Sequence, residues 1–174
     1  SASDLTKAKR LKENAGVASN GITKKGKFEI DGRLARDWLR LPLVPSGRPY
    51  SDVLRVWRNG LHLTREPSAD MWIIDFSKFD QASAAYFSEA FEHVLTAVKP
   101  ARDQSNSSME RRRWWQIARP ATDLFQRVAK LNRYFVVPEV AKHRVFVWQD
   151  SAVCADKNLV AIARDDDTSF GILH

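Results

Sequence analysis

The order in which strand-like and helix-like segments follow one another constrains the fold of this chain more than any other feature. The run Met71-Trp72-Ile73-Ile74-Asp75-Phe76 is short, apolar and flanked by turn formers, and it reads as a buried strand. Across residues 81–98, Phe87, Phe91, Val94, Leu95 and Val98 fall at helical spacing, and Lys99-Pro100 ends the segment. A polar linker at 104–108 leads to a helix around Trp114 and then to a second helix on which Leu124, Phe125, Val128 and Leu131 share a face. Four β-branched and aromatic runs follow, at 134–137, 145–148, 159–163 and 170–173, all reading as strands. Strands bunched in this way cannot alternate with helices, so the expected fold is α+β, a mostly antiparallel sheet with packed helices, and not a doubly wound one.

The N-terminal part is punctuated more heavily. Leu5, Ala8 and Leu11 predict an amphipathic helix over 5–14 that ends at Ala15-Gly16. A short strand over 27–30 precedes Gly32, which opens a helical turn over 34–39. Pro42, Pro45, Gly47 and Pro49 then impose a loop, because proline neither donates to a ladder nor continues a helix. Ser1-Ala2 resembles a cloning remnant, and the abrupt end at Phe170-Gly171-Ile172-Leu173-His174 suggests a piece excised from a longer protein; residues 1–174 are expected to form one domain. The single cysteine, Cys154, excludes a disulfide framework within the chain, and no apolar run is long enough to span a membrane, so a cytoplasmic location is expected.

Charge is clustered. The 28 Lys and Arg against 21 Asp and Glu leave a net charge of +7. Lys7, Lys9, Arg10, Lys12, Lys24, Lys25 and Lys27 crowd the first 27 residues, whereas Asp70, Asp75, Asp80, Glu89 and Glu92 dominate the stretch from Glu66 to Glu92. A basic face opposite an acidic one suits a polyanionic partner.

Common catalytic signatures are missing from the sequence: it has no Gly-x-Gly-x-x-Gly, no Walker A loop, no Gly-x-Ser-x-Gly elbow and no His-Glu-x-x-His pair. His62, His93, His143 and His174 lack ligand spacing, so no metal site is expected. Asp75 with Glu139 and Lys142 resembles the carboxylate-and-lysine set of a magnesium nuclease, but Glu139-Val140-Ala141-Lys142 has one residue too many to place Glu and Lys on one face of a strand. A turn-capping or arginine-pairing role is therefore expected for Asp75. The remaining alternative, a protein-interaction module, would use exposed tryptophans.

Three segments could meet nucleic acid. Arg111-Arg112-Arg113-Trp114-Trp115 is the densest basic and aromatic run; its arginines can grip phosphate while its tryptophans stack on bases or anchor the core. The connection Pro138-Glu139-Val140-Ala141-Lys142-His143-Arg144 carries side chains able to address base edges, although its composition alone also suits an ordinary charged turn. Asn59-Gly60 is a turn signal flanked by Arg58, His62, Thr64 and Arg65.

Several short motifs occur in an order that resembles the target recognition region of MmeI-type restriction-modification enzymes. They run from Leu5-Thr6-Lys7-Ala8-Lys9-Arg10-Leu11-Lys12-Glu13-Asn14 through Lys25-Gly26-Lys27-Phe28, Gly47-Arg48-Pro49, Ser51-Asp52-Val53-Leu54-Arg55, Asn59-Gly60, Leu63-Thr64 and Trp72-Ile73-Ile74-Asp75-Phe76. They continue with Val98-Lys99-Pro100-x-Arg102, Arg113-Trp114-Trp115, Arg133-Tyr134, Lys142-His143-Arg144-Val145-Phe146-Val147-Trp148 and Phe170-Gly171-x-Leu173-His174. The resemblance implies a non-catalytic domain that reads a short asymmetric site in double-stranded DNA. It also implies that an S-adenosylmethionine-dependent adenine-N6 methyltransferase domain of the same chain holds the cofactor and the chemistry, so no cofactor is expected in this piece. Base readers are expected among polar positions beside the shared motifs, namely Arg65, Glu139 and Lys142. His143, Arg144 and the run Arg111, Arg112 and Arg113 are assigned to phosphate or scaffold.

Overall fold

The computed structural model describes residues 12–174. Along the chain it runs β1 (Ala18–Asn20), β2 (Glu29–Asp31), α1 (Gly32–Leu39), β3 (Leu54–Arg58), α2 (Gly60–Thr64), β4 (Met71–Ile74), α3 (Gln81–Ala85) and α4 (Ser88–Ala97). It continues through α5 (Lys99–Asp103), α6 (Ser108–Arg112), α7 (Thr122–Val128), β5 (Arg133–Pro138), β6 (Val147–Asp150), β7 (Cys154–Ala155), β8 (Leu159–Ile162) and α8 (Asp167–Leu173). The fold is α+β, as expected, but the strands divide into two sheets. One, ordered β2-β4-β3-β7, is antiparallel except for the pairing of β3 with β7; the other, ordered β1-β8-β5-β6, is antiparallel throughout.

Local chemistry explains most of the helix starts. Asp31, Asp80, Ser107 and Asp166 each accept a hydrogen bond from a backbone N–H in the first turn of the helix that follows, satisfying donors that have no partner within the helix. The same effect overturns one expectation: residues 170–173 are not a strand but part of α8. Asp166 caps that helix by accepting from Ser169 at 2.7 Å, and the cap outweighs the strand character of the apolar run. The helix expected over 81–98 is two helices. Phe87 leaves helical geometry at φ −87°, ψ 68°, which turns its ring into the core against Phe79 and Tyr50. α4 ends at Ala97, just before Lys99-Pro100 as expected, but the chain enters a new helix at once: Pro100 occupies the first turn of α5, where its missing N–H costs nothing. α6 stops at Arg112, before Trp114, and the expected helix over 5–14 lies outside the described residues except for a 3-10 turn at Lys12–Asn14.

The large core sits between the first sheet and α4, around Phe28, Ile73, Ile74, Phe76 and Phe87, with Trp114 and Trp115 closing its edge. The second sheet is buried on both faces. Tyr134 and Val136 of β5 point under α7 toward Leu124 and Val128, while Phe135 and Val137 point the other way toward Phe146 and Phe170. The chain passes between the sheets four times, and two of these passages lie side by side. Residues 20–22 leave β1 and run beside 155–156, with Ile22 N–H donating to Ala155 C=O at 2.9 Å and Gly21 N–H donating to Leu159 C=O at 3.1 Å. Burial at this junction pushes the Cys154 thiol up to about 12, which leaves it an inert core group.

Candidate nucleic-acid interface

β5 and β6 form a hairpin whose pairing closes at Val136 and Val147, so residues 139–146 project as a loop. The base of the loop is anchored by the Glu139 N–H, which donates to Asn158 C=O at 2.9 Å. Facing it is α2, which starts immediately after β3 because Asn59 ends the strand and caps the helix. Asn59 Oδ1 accepts from the His62 N–H at 3.1 Å, and His62 Nδ1 accepts from the Asn59 N–H at 3.3 Å. Leu63 of α2 packs onto the β5 core, fixing the helix against the second sheet.

Between this helix and the hairpin loop lies a groove of about 990 Å³, lined by Arg65, Glu139, Lys142, His143 and the exposed Val140, with Asn59 and Asn158 on one rim. Residues 65 and 139–143, far apart in sequence, are thus brought together. Arg65 is the C-terminal cap of α2, and its guanidinium side chain is exposed. Glu139, Lys142 and His143 are exposed along the loop, and Val140 at its tip is 91% exposed. The groove therefore offers cationic donors, one carboxylate acceptor and an apolar tip. These are the side-chain types that hydrogen-bond to guanine or cytosine edges and touch thymine methyls.

The other predicted residues lie elsewhere. Arg144 faces a second hollow on the opposite side of the same loop, with Phe146, Ile162 and Leu173. Arg111, Arg112 and Arg113 are exposed at the end of α6, outside both hollows, and Arg111 donates to the Ser105 carbonyl. Trp114 and Trp115 are buried; Trp115 Nε1 donates to Phe79 C=O at 3.1 Å, which fits core anchoring rather than base stacking. Asp75 is not part of the groove. Its carboxylate accepts from the Ser77 N–H at 3.0 Å and lies 3.9 Å from Arg55, the turn-capping and arginine-pairing role expected of it. Among the described residues, no three His, Cys, Asp or Glu side chains gather as a group that could hold a metal ion.

Around Asn59-Gly60 the structure changes three assignments. The pair read as a turn starts a helix, Arg58 donates to the Ala69 carbonyl, and His62 is 7% exposed with its ring edge-on to Trp57 at 5.4 Å. His62 is therefore part of the scaffold. Burial, assisted by Arg58, holds its pKa below the usual imidazole value. The unfolded chain then binds a proton at about pH 6.5 that the folded chain resists, so this histidine's contribution is complete above that pH and is lost as pH falls through the folded value. We expect the urea midpoint to drop between about pH 7.5 and 5.5, a window above that of the carboxylates. A His62→Asn variant with the same pH-dependent loss would remove His62 as the cause.

Residues that the sequence did not single out as sites form an adjoining groove of about 500 Å³, lined by Lys24, Lys25, Lys27 and Lys157 together with Glu29 and the buried Asp156. Asn59 and Asn158 line both grooves. The clustering of Lys24, Lys25 and Lys27 is visible in the sequence, but nothing local announces Lys157 as their neighbour.

No protein-family model matches the sequence, and no curated protein matches it. Among solved structures, the fold is similar to part of one described as the type IIL restriction-modification enzyme MmeI in complex with DNA. The similarity has a TM-score of 0.59 at 14% identity and covers 90% of this chain and 20% of that one. The chain thus spans about a fifth of the length of that enzyme, and at this identity the two share a fold.

Proposed function

We propose that this domain recognises a short sequence in double-stranded DNA and acts as the target recognition region of a restriction-modification enzyme. One observation carries the reading: Arg65, Glu139, Lys142 and His143 converge from α2 and the β5–β6 loop on a single open groove. The shared fold with part of a DNA-bound enzyme supports it. In this reading the domain is not an enzyme. Adenine-N6 methylation and S-adenosylmethionine binding belong to a methyltransferase domain of the same polypeptide, which works in the cytoplasm where the DNA is.

The hairpin loop would enter the major groove, which admits a two-stranded ribbon and displays a distinct donor and acceptor pattern for each base pair. Arg65 and Lys142 would donate to guanine O6 and N7, and Glu139 would accept from cytosine N4. Each good contact of this type discriminates by about 1–3 kcal/mol against the wrong base. Selection of duplexes by this chain from a randomised pool at low salt is expected to enrich one short motif. Glu139→Ala and Lys142→Ala are expected to relax one base position each and leave the others intact. An unenriched pool that still binds in a salt-sensitive manner would reduce the domain to a sequence-independent docking module, and preferences unchanged by both substitutions would displace the readers from this loop.

A further inference from the structure

The lysine groove beside the reading groove has a construction that the base-reading role does not require. Its wall is the turn Lys24-Lys25-Gly26-Lys27, in which Lys25 sits at φ 46° and Gly26 at φ 153°, the former unusual for a residue with a side chain. The backbone of this turn is held from below. Arg102, only 3% exposed, donates from Nη2 to Lys24 C=O at 3.0 Å and to Gln116 C=O at 3.1 Å. His93 Nε2 meets Lys27 C=O at 3.1 Å, and a Cβ on Gly26 would lie 2.9 Å from Val98 Cγ1. Since its carbonyls are tied to the core, the turn presents its ammonium groups outward from a rigid base.

The charges differ in how far they are already matched. Lys24 is paired with Glu29 at 2.6 Å and lies over the Trp57 ring at 4.7 Å, and Lys25 is paired with Glu110 at 2.7 Å. Lys27 and Lys157, both exposed, make no ion pair among the described residues. Lys157 is held opposite the turn because its carbonyl accepts from Asn20 Nδ2 at 2.8 Å and the Asp156 N–H donates to Arg58 C=O at 2.8 Å. Two lysines that make no ion pair among the described residues therefore line one hollow, with the buried Asp156 carboxylate in its wall, and Asn59 and Asn158 line both that hollow and the groove carrying Glu139 and Lys142.

We propose that this groove seats the phosphate backbone of the duplex flanking the bases read next door, with Lys27 and Lys157 supplying the charge. The inference rests on the DNA-recognition reading and extends it, because phosphate contacts set register and orientation while base contacts set sequence. Ammonium groups suit this task as strongly hydrated point charges that neutralise phosphate without demanding bidentate geometry.

The test is anisotropy of a short, mixed-sequence, fluorescein-labelled duplex across a salt series, comparing the unaltered chain with K27Q/K157Q and with K78Q/K130Q. The last pair removes the same number of charges from outside the lysine groove. K27Q/K157Q is expected to weaken binding to all duplexes alike and to reduce the slope of log K against log salt by about 1–2, since each neutralised phosphate contributes about 0.9. Base preference in the pool selection is expected to persist. A slope for K27Q/K157Q equal to that of K78Q/K130Q overturns this proposal and leaves the reading groove standing. No duplex binding by the unaltered chain at any salt overturns the DNA-recognition reading and this proposal with it.

Discussion

Arg102→Leu is expected to lower the unfolding free energy by about 3 kcal/mol and to weaken duplex binding in the same variant. The guanidinium is buried, and it donates to two carbonyls, Lys24 C=O and Gln116 C=O, that belong to segments distant in sequence. It also faces the Phe28 ring at 5.8 Å and lies 3.8 Å from Glu110. Burial pulls its pKa down while Glu110 acts against that shift. Leucine fills most of the volume but leaves carbonyls that had charge-assisted donors, each worth about 1.5–3 kcal/mol. Urea unfolding with an unchanged slope would show the loss as a shifted midpoint. Arg102→Lys keeps the charge but cannot span both carbonyls, so it should restore only part of the stability. Binding should weaken beyond the fraction unfolded, because the turn bearing Lys27 loses its anchor. A variant as stable as the unaltered chain would show that the two carbonyls find other donors.

Gly21→Ala is expected to cost at least as much. A Cβ at this position would stand 1.9 Å from Ala155 O, 2.4 Å from Ala155 C and 2.6 Å from Asp156 O. All three are backbone atoms, and none is free to retreat. Ala155 O accepts from the Ile22 N–H, and the Asp156 N–H donates to Arg58 C=O at 2.8 Å, so displacing this strand would break the junction between the two sheets. A loss of about 3 kcal/mol or more corresponds to a fall in Tm of roughly 6–12 °C for a domain of this size. Gly60→Ala is the matched control. Nothing lies within 4 Å of a Cβ there, and the residue opens α2, so alanine should be neutral or slightly stabilising. Equal thermal midpoints for the two variants would refute the close approach at Gly21.

The motifs noted along the sequence acquire a physical meaning once their neighbours are known. Lys25-Gly26-Lys27-Phe28 and Val98-Lys99-Pro100-x-Arg102 touch: Arg102 reaches under the lysine turn, and Gly26 packs on Val98. Arg133-Tyr134 and Trp148 meet at the far end of the second sheet, where the Arg133 guanidinium lies 3.9 Å from the Trp148 ring centroid and Trp148 stacks on Phe170 at 4.7 Å. These are framework contacts. The shared motifs thus hold the domain together, whereas of the groove residues Arg65 and Glu139 lie beside those motifs, Lys142 opens one of them, and all three are exposed and contribute little to the core.

What the sequence determined by itself is the part governed by short-range chemistry. Apolar period marked β4, β5 and β8 and the helical stretch that holds α4; Gly32 opened α1; proline and glycine marked the loop after α1. The bunching of strands sufficed for the α+β class. Short-range signals fail where two of them compete, as at residues 170–173, where an aspartate cap met an apolar run, and at Phe87, where a core cavity broke a regular helical pattern. Leu54–Arg58 is a central strand whose charged residues, Arg55 and Arg58, stand three apart and so break the two-residue alternation that marks a strand. Only the tertiary structure decided that the strands form two sheets, that His62 is buried while Arg65 is presented, and that Lys157 stands opposite a turn 130 residues earlier, at Lys27. Those facts depend on strand register and on two backbone crossings near Gly21, and no local pattern encodes which distant segments will meet there.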